Sequence, residues 1–193
     1  VDWHGHKDRG LSIINSLTAA AAGADRLHGT ALGIGERVGN TPIDLLLVNM
    51  QLLGWIDRDL SDLAAYCELV AETTGVPLPE NYPVVGRDAF RTATGVHAAA
   101  IIKARKKGDD WLADLVYSGV PAHLFGRRQS VEVGPMSGVS NVVHWLEEHG
   151  VEPSEALVEA VFARAKESPR VLEEEEIAAI CRQHGAELAA RSA

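Results

Sequence analysis

His4-Gly5-His6 sets two imidazoles two positions apart near the start of the chain. In an extended strand, residues i and i+2 face the same way, so both rings converge on one point at the strand's end. Two imidazoles aimed at one point suit a shared divalent ion, although a pair of partly exposed polar strand residues gives the same pattern with no chemistry. Downstream, Gly33-Ile34-Gly35-Glu36-Arg37-Val38-Gly39-Asn40 reads as a glycine-rich turn between a strand and a helix. Its glycines permit close backbone approach. Asn40 then offers either an amide oxygen to a metal or a cap to the helix that follows.

Alternating elements must carry these residues. Residues 1–6 read as a short strand, residues 10–23 as an Ala-rich amphipathic helix closed by Gly23, and residues 25–32 as a second strand. Thr41 is placed to cap a helix with Pro42 at its first position, running through Trp55. Strand–helix–strand–helix with short connections is the βα unit of a parallel α/β fold, and two such units do not close an eight-unit barrel. From Leu60 the pattern turns helical: residues 60–74, then 89–107, 111–116, 141–149, 154–166 and 174–190, with a short strand at 130–133. The Pro/Gly-rich stretch 75–86 is the best domain boundary. Four acids, Glu173 to Glu176, stand at a helix start, where the macrodipole favours them.

Composition narrows the function classes. The 193 residues are 46% hydrophobic and 23% charged, which fits one sizeable domain with a real core. Lys and Arg number 18 against 27 Asp and Glu, and no basic run exceeds Lys106-Lys107, so nucleic acid is not an expected partner. Cys67 and Cys181 lie in apolar helical patterns without CxxC spacing, as expected of two buried free thiols. Neither a long apolar run nor a signal-peptide pattern occurs, so we expect a cytoplasmic chain with no membrane partner. The chain opens at Val1, without Met, on what already reads as a functional strand end, which suggests a piece of a longer protein. His123, His144, His149 and His184 read as surface or packing residues, and Trp3, Trp55, Trp111 and Trp145 as core.

His4-Gly5-His6-Lys7-Asp8-Arg9-Gly10, followed by His28-Gly29-Thr30 and the glycine-rich turn to Asn40, resembles the DRE-TIM metallolyase family in its condensing-enzyme branch of isopropylmalate, homocitrate and citramalate synthases. The family's usual pattern is His-x-His-Asn-Asp-x-Gly, then His-Gly-Thr-x-x-Gly-x-Gly-Glu-Arg-x-Gly-Asn; Lys7 stands where Asn is common. Thr94-Gly95-Val96-His97 is similar to the family's Ser/Thr-Gly-x-His, and Tyr117 with the later Phe125-Gly126-Arg127 to its Tyr before Val-Gly-Arg. Taken alone, a helical histidine is ordinarily a hydrogen-bonded polar residue and one tyrosine in a helical region is ordinarily core.

The resemblance implies that residues 1–74 are the last two βα units of a TIM (β/α)8 barrel, 75–86 a linker, and 87–193 a mainly helical post-barrel subdomain. It assigns His4, His6 and Asn40 to a divalent metal (Zn, Mn or Mg), and His97 and Tyr117 to catalysis. Asp8 and Glu36 would orient the histidines or the bound acyl group. The implied reaction is a Claisen condensation of acetyl-CoA with a 2-oxo acid followed by thioester hydrolysis, isopropylmalate synthase-like and in the service of leucine or related amino-acid biosynthesis. Homocitrate or citramalate synthesis, a hydroxymethylglutaryl-CoA lyase-like aldol cleavage, and a non-catalytic assembly subunit are the alternatives. The family's Asp-x-Arg-Glu stretch has no counterpart here, so we expect an N-terminal barrel half, on the same gene or a partner chain, without which the 193-residue chain is inactive. A homodimer, in which the helical part serves the neighbouring subunit, is also implied.

Overall fold

Asp2–Trp3 (β1) and Arg26–Leu27 (β2) run parallel, Asp2 opposite Arg26 and Trp3 opposite Leu27, with Ser12–Ala21 (α1) as the connection. This is the expected βα order with shorter strands. The chain after Trp3 leaves the ladder, and His6 instead makes an isolated antiparallel bridge to Asn40. The second strand, expected to reach residue 32, pairs with β1 only as far as Leu27, and beyond it Ala31–Gly33 forms a 3-10 turn in which Leu32 is left-handed, at φ 56° and ψ 8°. Such a conformation costs a non-glycine residue about 1–2 kcal/mol and ends any strand.

The computed structural model describes residues 1–189. These divide into two units: Val1–Ala89 with Ala122–Arg127, and Phe90–Pro121 with the chain from Arg128 onward. The first unit adds Ile43–Leu52 (α2) and Leu63–Thr74 (α3). Ser16, on the inner face of α1, is fully buried because it joins two other polar groups: Trp3 Nε1 donates to its Oγ at 3.2 Å, and its Oγ lies 3.0 Å from Thr41 Oγ1. Thr41 therefore does not cap α2 as expected. Pro42 is the N-cap, and Thr41 spends its hydroxyl on the tertiary contact. Gly75, left-handed at φ 69°, ends α3. Residues 75–86, read as a linker, pack into this unit. Val84 and Val85 are buried, and Arg127 donates to the carbonyls of Val85 and Gly86 at 3.1 and 3.2 Å.

The second unit contains Arg91–Thr92 (β3), Gly95–Lys106 (α4), Asp110–Leu115 (α5), Ser130–Val131 (β4), Val139–Glu148 (α6), Glu155–Glu167 (α7) and Glu174–Gln183 (α8). The helix expected over 89–107 starts only at Gly95, because Arg91 and Thr92 pair in parallel with Ser130 and Val131. Ile101, Ile102, Ala113 and Val131 form one core cluster, and Val142, Leu146, Leu157, Val161 and Ile177 anchor another under α6–α8. Ser154 caps α7 by accepting from Leu157 N, and Glu173 with Glu176 forms a capping box at α8. The last helix, expected to reach 190, stops at Gln183, two residues before Gly185 at φ 75°; Ala190 lies outside the described residues. Cys67 and Cys181 are buried free thiols. Trp145 is core as expected, whereas Trp111 is 64% exposed and Trp55 45%. Among the described residues no helix is long and apolar enough to cross a membrane.

Candidate functional site

In the first unit the chain brings His4, His6 and Asn40 to one place. The rings of His4 and His6 meet edge to face with centroids 5.2 Å apart, so the spacing of two works even though the regular strand ends at Trp3. His28 joins from the residue after β2, its ring centroid 5.7 Å from that of His4. The turn delivers Asn40 opposite His6. Its backbone N–H donates to Gly33 O at 3.0 Å, and its Nδ2 donates to Ile34 O at 3.4 Å. The Asn40 amide packs so close to residue 35 that a Cβ there would fall 2.4 Å from Nδ2, which leaves only glycine.

Nδ1 of His6 and Oδ1 of Asn40 are buried side-chain atoms with no hydrogen-bond partner among the described residues. Each such orphan costs about 1–3 kcal/mol. With the ring proton on Nε2, His6 Nδ1 is a lone pair, as is Asn40 Oδ1, so both atoms call for a cation or a donor. Nitrogen and oxygen donors of this kind suit a divalent metal, and His4, His6 and Asn40 are the residues that fit it. Among the described residues no three His, Cys, Asp or Glu side chains form a metal cage. The third side chain beside the two imidazoles is an amide, that of Asn40.

The two expected orienting acids behave differently. Asp8 receives a two-pronged contact from Arg37, Nε to Oδ1 at 2.8 Å and Nη2 to Oδ2 at 3.1 Å, and this hydrogen bonding holds its carboxyl below the usual range. Asp8 thus ties the histidine segment to the glycine-rich turn. Glu36 serves that turn through its backbone carbonyl, which accepts from Gly39 N at 2.9 Å, and its side chain is exposed.

His97 and Tyr117 come together in the second unit. Their rings stack with centroids 4.0 Å apart and planes 28° from parallel. His97 stands in the first turn of α4, whose start is fixed by a donation from Gly95 N to Met136 O at 3.0 Å. Both rings are exposed, Tyr117 at 52%, and Val96 and Met136 nearby are exposed as well.

The sequence reading missed Asp44 and Tyr82 altogether, and it noted Lys7 without giving it a contact. Asp44, in the first turn of α2, is wholly buried; its Oδ1 accepts from Leu32 N at 2.7 Å and its Oδ2 from Tyr82 Oη at 2.9 Å. The available signal was one carboxylate at the head of an apolar helix. Lys7 reaches Leu32 O with its Nζ at 3.3 Å. Tyr82 lay in a stretch read as linker and gave no signal.

Residues 1–70 match the sequence profile of the HMGL-like family. The chain is 38% identical over 156 residues to an (R)-citramalate synthase of Aquifex aeolicus, an alignment that takes in 79% of this chain and 28% of that protein. To a homocitrate synthase of Methanopyrus kandleri it is 35% identical over 165 residues, 84% of this chain and 39% of the synthase. To a probable 2-isopropylmalate synthase of the same organism it is 32% identical over 169 residues, 86% of this chain and 32% of the synthase. The chain thus spans between 28% and 39% of the length of these relatives.

Proposed function

Since the chain belongs to the HMGL-like family, alongside homocitrate, citramalate and isopropylmalate synthases, we propose that the protein is an acetyl-CoA-dependent condensing synthase. It joins the acetyl methyl carbon to the carbonyl carbon of a 2-oxo acid and then hydrolyses the thioester. The observation that carries this reading is the pair of buried, unpartnered acceptors, His6 Nδ1 and Asn40 Oδ1, beside the His4 ring.

His4, His6 and Asn40 would hold a divalent ion, which would supply Lewis-acid polarisation of the 2-oxo acid's carbonyl. The protein's own groups do the rest. Asn40 presents its oxygen in a fixed direction because its Nδ2 is committed to Ile34 O. Asp8 keeps the turn in place through Arg37. His97 takes the proton of the acetyl methyl group on a ring nitrogen: the C–H bond breaks, its electron pair forms the new carbon–carbon bond, and the carbonyl π pair moves onto the 2-oxo oxygen, which takes up a proton to become the hydroxyl. Tyr117, stacked on the imidazole, holds its plane and brings a hydroxyl that passes the proton on. A water molecule then cleaves the thioester and frees CoA.

The test is release of free CoA by the protein as its host makes it, given acetyl-CoA, Mn²⁺ or Zn²⁺, and a panel of 2-oxo acids. Release that requires both substrates is expected with one member of the panel. No release with any of them overturns the reading.

A further inference from the structure

Leu32 is gripped at both of its peptide groups by side chains of opposite charge. Its N–H donates to Asp44 Oδ1 at 2.7 Å, and its carbonyl accepts from Lys7 Nζ at 3.3 Å. The acid thus meets the positive end of that backbone segment and the ammonium the negative end, which makes both bonds charge-assisted. Leu32 is the left-handed residue, past β2, at which the chain enters the loop that returns to Asn40. A leucine holds that conformation only where its surroundings impose it.

Lys7 touches the loop a second time. Its backbone N–H donates to Gly39 O at 3.0 Å. Its side chain runs through room left open by two glycines: a Cβ on Gly33 would lie 2.8 Å from Lys7 Nζ, and one on Gly39 3.0 Å from Lys7 Cε. Lys7 directly follows His6, and Gly39 directly precedes Asn40, and His6 and Asn40 pair across the antiparallel bridge.

We propose that Lys7 and Asp44 are positioning residues: by clamping Leu32 from both sides they fix the turn 31–40 and so set the Asn40 amide oxygen beside His6 before any metal arrives. The inference rests on the metal reading of His4, His6 and Asn40. Two measurements separate them: amide hydrogen exchange across 31–40 without metal, and Mn²⁺ affinity by titration, each on wild type, Lys7→Met and Lys7→Arg.

Lys7→Met keeps the length of the side chain and loses the donor. We expect the amides of Gly39 and Asn40 to exchange at least about tenfold faster in it while those of α2 keep their protection. Mn²⁺ affinity is expected to fall by about 10- to 100-fold, the usual effect of losing a group that orients a ligand. Lys7→Arg, which keeps a donor at similar reach, is expected to restore most of both. Should Lys7→Met fail to fold, Asp44→Asn, with its N–H acceptor retained but its charge removed, takes its place with the same expectations at smaller size. Exchange at Asn40 within twofold of wild type in the folded variant overturns the proposal, as does equal Mn²⁺ affinity in wild type and variant. Faster exchange in Lys7→Met, together with no Mn²⁺ binding to wild type, upholds the clamp and removes the metal reading instead.

Discussion

The hydroxyl of Tyr82 donates to Asp44 Oδ2 at 2.9 Å, so the carboxylate that fixes Leu32 through Oδ1 also anchors residues 75–86 through its other oxygen. Burial, and then the Asp44 charge, push the Tyr82 hydroxyl far up, which keeps it a donor. The same two causes push the neighbouring Cys67 thiol up to about 12, so it stays protonated and unreactive.

Tyr82→Phe is therefore expected to destabilise the protein by about 1.5–3 kcal/mol, the worth of a hydrogen bond to a charged group, read as a shift of the urea midpoint. In an Asp44→Asn background the same change should cost clearly less, because the two side chains share one interaction. Additive losses in the double variant would show that the bond contributes nothing of its own.

Removing one metal donor should weaken binding without unfolding the chain, since His4 is exposed and Asn40 only partly buried. Calorimetric titration with Zn²⁺ or Mn²⁺ is expected to give at least about tenfold weaker binding for His4→Ala and for Asn40→Ala. Equal affinities for wild type and either variant would sink the assignment of that residue.

Local signals made part of this molecule legible in advance. Ser154 and the Glu173–Glu176 box cap the helices that their spacing announces. Gly75 stops α3 in the left-handed conformation that a glycine after a helix suggests. His4, His6 and Asn40 were findable because a spacing of two and a glycine-rich turn are themselves local patterns. What stayed hidden depends on partners distant in sequence. Arg91 and Thr92 look helical beside the Ala-rich run of α4 and become a strand only because Ser130 and Val131 pair with them. Thr41 looks like a cap and is taken by Ser16. Leu32 carries no mark of its left-handed backbone, which Lys7 and Asp44 impose from two other segments.

Glu132 gives the second unit an acid limit. Arg91 meets both of its oxygens at 3.1 Å, and Ser130 Oγ donates to Oε1 at 2.8 Å. Burial pulls its pKa up, but the hydrogen bonds from Arg91 and Ser130 outweigh it and leave the carboxyl below its ordinary 4.5. A folded pKa below the unfolded one means stability that is fully present above about pH 4.5 and is lost as the pH falls through the lower folded value. Chemical denaturation of wild type and Glu132→Gln between pH 7 and pH 3 checks this. The wild type should lose its advantage across that acid window, and parallel curves would rule the linkage out.

The stacked pair in the second unit allows positioning to be separated from proton transfer. The rings of His97 and Tyr117 lie 4.0 Å apart, an overlap that needs the tyrosine ring and not its hydroxyl. Tyr117→Phe keeps the stack and deletes the hydroxyl, whereas Tyr117→Ala deletes both. If the hydroxyl moves the proton that His97 takes, both variants should release CoA about 10²-fold more slowly or worse, the ordinary loss on removing a proton-transfer group. In Tyr117→Phe the ring-current shift of the His97 proton resonances should persist at the same time, proving that the imidazole has not moved. If the tyrosine acts only as a shelf for the imidazole, Tyr117→Phe keeps its rate and Tyr117→Ala alone falls. The relay assignment predicts the first pattern. A Tyr117→Phe protein within about twofold of the wild-type kcat, far short of that loss, would end it and leave Tyr117 a positioning residue for His97.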